Sequence, residues 1–139
     1  MIVLMVEIVN ELVLYLRLAQ AFKQKRRMPD RDRALVLAGT CAAILEMKSV
    51  DDFCRKIILQ NNHGHMMKRW GSFAEAIRME DFGIFIKQLQ RRFPIERAEN
   101  FLMQLKYQCD VVRDDYESDE AFAAAVMGVD YDWLTENFG

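Results

Sequence analysis

The chain has 139 residues, of which 52% are apolar and 29% charged, with a formal net charge of −2. A disordered chain has fewer apolar residues and a larger net charge, so this one folds, and its length fits one domain around a single core. Three distant cysteines, Cys41, Cys54 and Cys109, with no Cys-x-x-Cys pair, exclude a disulfide scaffold and point to reduced thiols in a cytoplasmic setting.

The first segment, "MIVLMVEIVNELVLYLRLAQAF", is nearly all apolar. It lacks the positive n-region and small-residue cleavage site of a signal peptide. Glu7, Asn10, Glu11 and Arg17 make it a poor membrane span, because charges in lipid cost a few kcal/mol each. Its polar positions fall near one narrow side of a helix spanning about 2–27. A helix apolar around most of its circumference is buried on most sides. The expectation is a largely buried, strongly apolar N-terminal helix shared with a second copy, with a self-association seam at Leu4, Glu11, Leu12 and Leu16.

Pro29 separates this helix from a second over about 31–47. There Ala34, Ala38, Gly39, Ala42 and Ala43 would let another helix approach closely. Ser49 reads as the N-cap of a third helix over about 50–60, with Asp52 at the third position. Val50, Phe53, Cys54, Ile57 and Ile58 give that helix one apolar face.

Residues 61–71, opening with "NNHGH", form a poor helix interior and predict a connection of about ten residues, longer than most between helices. Met66, Met67 or Trp70 should anchor it in the core. Ser72 and Glu75 then form a capping box for a fourth helix to about 93, with a possible break at "MEDFG". After Pro94 the spacing of Ile95, Ala98, Leu102, Leu105, Cys109 and Val112 is a heptad seam, predicting a fifth helix to about 112. Ser118 caps a sixth, ended by Gly128. Tyr131, Trp133, Leu134 and Phe138 dock a short final turn.

Charge divides along the chain. Residues 1–109 carry 18 Lys and Arg against 12 Asp and Glu, whereas 110–139 carry Arg113 alone against nine acids. These segments predict an all-α protein: a single compact bundle of five to six helices over residues 1–139. The acidic segment 110–139 docks on a basic body.

Three chemistries compete for the 61–71 region. His63 and His65 supply two imidazoles, but a zinc site needs at least three protein ligands, and no spacing singles out a third. On that count the histidines are exposed loop residues titrating near their ordinary value. A helix-turn-helix-like unit over 34–60 could instead present Arg55, Lys56, Gln60, Asn61, Asn62, Lys68 and Arg69 to a nucleic acid. Arg26, Arg27, Arg31, Arg33, Arg91 and Arg92 would extend that patch. A pI near 5.7 argues against it. There is no glycine-rich phosphate loop, no nucleophile elbow and no His-Glu-x-x-His motif. The acidic pairs 51–52, 80–81 and 114–115 are consecutive and split across helix faces. The reading the residues favour is a non-catalytic, self-associating protein-interaction or regulatory module. It needs no cofactor, forms a homodimer and does not engage a membrane.

Overall fold

A computed structural model describes the chain from Ile2 to Gly139, with side chains from Leu4 onward. Among the described residues there are eight α-helices and no strand. They are α1 (Ile2–Gln24), α2 (Met28–Ile44), α3 (Lys48–Asn61), α4 (Phe73–Ala76), α5 (Glu80–Arg92), α6 (Ile95–Gln104), α7 (Asp119–Val126) and α8 (Tyr131–Phe138). The all-α expectation holds. The count of five to six does not, because the expected fourth helix is two, split at 77–79, and the final turn is a helix of its own.

The antiparallel pair α1–α2 is the centre of the bundle. α6 and α7 pack on α1, α3, α4 and α5 on α2, and α8 on α3. The reason lies in α2. Ala34, Ala38 and Ala42 are fully buried, and Leu12, Leu16, Leu18 and Phe22 of α1 are equally closed from solvent. Small side chains on one helix make room for large ones on its neighbours. At Gly39 the approach is closest: a Cβ there would lie well under 3.0 Å from three carbons of the Phe73 ring. Phe73, from α4, therefore sits against bare α2 backbone, and Phe82 and Trp70 stack edge-on behind it.

Helix ends explain where the sequence-based boundaries fail. α1, α2, α6 and α7 each stop at a residue with positive φ: Arg26, Glu46, Lys106 and Gly128. At each the paired backbone bonds of a Schellman motif close the last turn, for example Arg27 N to Phe22 O at 2.8 Å and Tyr107 N to Leu102 O at 3.2 Å. Only the fourth uses glycine, the residue that marks such an end in a sequence. Hence the α6 pattern seemed to run on to Val112. The helix stops at Gln104, Cys109 is half-buried in irregular chain, and Val112 is exposed. At the other end of α2, Pro29 does not delay the helix but lies in its first turn, where a missing N–H is tolerated.

The buried N-terminal helix also needs correction. From Leu12 onward α1 is core, but Leu4, Met5 and Val6 are 58%, 54% and 53% exposed. The first turns stand out from the bundle as an apolar ridge. No helix among the described residues is long and apolar enough to cross a membrane.

Gly39→Ala should lower stability by about 1–3 kcal/mol through overpacking. In a double-mutant cycle, Phe73→Leu should recover part of that loss. Additive losses in thermal denaturation would show that the ring does not press on this backbone.

Candidate functional site

The connection between α3 and α4 is built around two side chains of α3, one helical turn apart. Asp51 is buried and accepts from the backbone N–H of Phe73 at 2.8 Å and of Ala74 at 3.0 Å. Arg55 Nε donates to the carbonyl of Trp70 at 2.8 Å. Ser72 Oγ accepts from Glu75 N, and Glu75 reaches back to Gly71 N at 2.9 Å, so the expected capping box forms one residue wider than usual. Between these ties Met66–Arg69 makes a 3-10 turn, with Met67 fully buried and Trp70 nearly so. Two of the expected anchors are thus in the core.

Ser49 is not the cap of α3. That helix starts at Lys48, and the Ser49 hydroxyl is buried against the Glu120 carboxylate of α7. Asp51, in the first turn of α3, is buried. It shares the buried stripe of Cys54 and Ile58, at steps of three and four, and that spacing was the signal available in the sequence. Burial pushes its carboxyl up to about 6, while the bonds from Phe73 and Ala74 hold it down.

The two histidines part company. His63 is exposed. His65 is half-buried, its Nδ1 accepts from Met67 N at 3.1 Å, and its ring lies 6.4 Å from that of Phe85. Burial lowers its pKa, opposed by the nearby Asp32 carboxylate. The expected exposed His65 with ordinary titration is therefore corrected: the imidazole is a helix cap. Among the described residues no three His, Cys, Asp or Glu side chains group as a metal site would require.

The nucleic-acid candidates are dispersed and mostly engaged. Arg55 serves Trp70. Asn61 donates to Asp32 at 2.8 Å, Asn62 accepts from Gly64, Lys56 lies over the Phe138 ring, and Arg69 pairs with Asp81 at 3.1 Å. Lys48, Arg55, Lys56, Gln60 and His63 do share one cleft of about 650 Å³, but Asp52 and Glu136 line it too, and Lys68 and Arg69 lie outside. Of the wider patch, Arg27 and Arg33 converge on Asp30, and Arg31 is buried with Asp32.

The self-association candidates divide in the same way. Leu12 and Leu16 are fully buried within this chain, so they lie on no seam; Leu4 is exposed and Glu11 half-buried. Desolvation, and then Glu7, raise the pKa of Glu11. The structure adds Met5, Val6, Ile44 and Ile95, large apolar side chains left open. Two hollows flank the ridge of α1. One, of about 280 Å³, includes Ile8, Glu11, Ile44 and Ile95; the other, of about 960 Å³, is bounded by Val6, Val9, Val13, Leu102 and Phe122. Comparison of the chain with family models, curated proteins and solved structures finds no match.

Asp51→Ala should cost about 1–3 kcal/mol and speed amide exchange at Phe73 and Ala74 before the rest of the core. The Asp51 carboxyl is near 6 when folded and 3.8 as the model value. Its contribution is thus complete below about pH 4 and lost as pH rises through 6. Denaturant titrations should show Asp51→Asn flattening that fall.

The histidines should separate in the same assay. His63→Ala should change stability by less than about 0.5 kcal/mol. His65→Ala should cost about 1 kcal/mol through loss of the cap. Because its folded pKa is lowered, the His65 contribution is present above the model value of 6.5 and lost as pH falls below it. Equal effects of the two substitutions would refute the assignment.

Proposed function

We propose that this protein is a non-catalytic helical interaction module that self-associates through the first turns of α1. The observation that carries the reading is the ridge. Three consecutive large apolar residues, Leu4, Met5 and Val6, stand more than half exposed. Leu4 continues the stripe of Ile8 and Glu11, at helical steps of four and three, toward Ile44 and Ile95. Contiguous apolar surface of this kind marks interaction sites. A second copy brings the same ridge, and a two-fold pairing puts like surfaces together, as most soluble oligomers do. The half-buried Glu11 at the edge of the stripe favours a polar rim there over a membrane surface, which would select Lys and Arg.

Two further observations support a binding role in a reducing, cytoplasmic setting. The Cys41 and Cys54 thiols are buried, and burial pushes both far from the thiolate, Cys41 up to about 12. The cations that a nucleic acid would need are largely committed to internal carboxylates and carbonyls.

Sedimentation of the full chain should give a dimer at micromolar concentration. Leu4→Glu should dissociate it, raising Kd at least about tenfold, with the melting temperature of the monomer nearly unchanged. Leu12→Glu, at a position closed within the bundle, should unfold the chain instead, because an unpaired charge would be buried. A folded monomer for the unmodified protein at high micromolar concentration would overturn the proposal.

A further inference from the structure

The larger hollow beside α1 differs from the ridge in one respect: it contains a cation without an anion. Its walls are apolar along α1 from Met5 through Val9 to Val13, and across from it stand Leu102, Val111 and Phe122. From Met5 to Arg17 the helix runs roughly 18 Å. The groove then meets Arg17. Among the described residues this arginine makes no ion pair and no hydrogen bond, and its Nε is buried without a partner. Its guanidinium lies 5.9 Å from the centre of the Phe122 ring. The groove's other charges cancel. Arg113 Nε donates to Asp119 at 2.8 Å, and its Nη1 to the carbonyl of Tyr116 at 2.7 Å.

A guanidinium partly withdrawn from water against apolar walls is unfavourable unless an anion or a set of acceptors meets it. Its planar donors fit a carboxylate. The volume, about 960 Å³, lies within the range of small-molecule sites, and such sites combine mostly apolar walls with a few polar groups that orient the ligand. We infer that this groove binds a single-chain anionic amphiphile, an acyl chain lying along α1 with its carboxylate on Arg17. The chemistry is complementary at both ends: methylenes against Val6, Val9 and Val13, and one negative charge against one uncompensated positive charge. A partner helix laid in the same groove would be held by the apolar walls alone and would not require a cation at this end.

The inference does not rest on self-association. The ridge residues Met5 and Val6 also line this groove, whereas Ile8 and Glu11 line the other hollow. Sedimentation of Leu4→Glu tests self-association, and ligand binding at chain concentrations below dimerisation tests this inference.

The experiment is equilibrium dialysis of the full chain against radiolabelled myristate below its aggregation concentration, with tetradecanol as the uncharged control. The expected result is saturable binding of one myristate per chain, with tetradecanol weaker. Arg17→Gln should reduce myristate affinity about tenfold or more while leaving tetradecanol unchanged, and Arg17→Lys, which keeps the charge but not the planar fork, should lose less than Arg17→Gln. Val9→Trp, which fills the groove, should abolish binding of both. Melting curves of each variant confirm that it is folded, and Arg17→Lys supplies the charge test should Arg17→Gln fail to fold. No saturable binding by the unmodified protein overturns the inference. So does equal affinity for myristate and tetradecanol, or an Arg17→Gln protein that binds as well as the original.

Discussion

The structure depends on a row of small residues along one side of α2. α2 contributes Ala34, Ala38, Gly39 and Ala42 to the centre of the bundle, where Leu12, Leu16 and Phe22 are also fully buried and Phe73 comes against the bare backbone at Gly39. Close approach maximises dispersion contacts and leaves no room for a methyl at residue 39. Everything else is arranged around that contact. α1 lies along one side of α2, and α4, only four residues long, persists because its first residue is Phe73. A four-residue helix has no stability of its own, since nucleation consumes more order than one turn returns.

Polar groups then fix what apolar packing leaves free. Asp51 holds the first amides of α4, Arg55 holds the carbonyl of Trp70, and His65 caps the 3-10 turn between them. These three side chains satisfy backbone groups that would otherwise be orphaned at buried helix ends. In the sequence, Arg55 and His65 stand as candidates for an external ligand, a basic patch and a histidine pair, and Asp51 as one of a consecutive acidic pair split across helix faces. Their partners turn out to be the loop's own backbone. A long connection with unusual polar residues is here an anchored structural element, and the exposed apolar ridge lies elsewhere, on the first turns of α1.

Hollows lie on both flanks of that ridge. α6 and α7 pack on α1, which is core from Leu12 onward, yet its first turns stay exposed. Exposed apolar residues scattered singly need no explanation, but a ridge of three with a hollow on either side does. One flank places a half-buried glutamate among isoleucines, and the other places, beside the paired Arg113 and Asp119, an arginine without a partner against valines. That asymmetry is why different occupants are proposed for the two flanks: a second copy for one, a small anionic amphiphile for the other.

Much of this was legible in the sequence. Helical periodicity located all the long helices, small residues marked α2 as central, and Ser72 with Glu75 located the start of α4. What periodicity could not supply was termination. Arg26, Glu46 and Lys106 end their helices in the left-handed conformation without glycine, so the apolar pattern of α6 read straight through its end. Nor could it tell which apolar residues of α1 have neighbours. Leu4, Leu12 and Leu16 are the same residue type on one helix, yet the first is open and the other two are sealed. A sequence records which side chains avoid water. Which of them succeed depends on how far α6 and α7 extend along α1. Whether a charged group is free depends on partners as distant as Asp51 and Phe73. Both are matters of relative position in three dimensions, and the tertiary structure alone decides them.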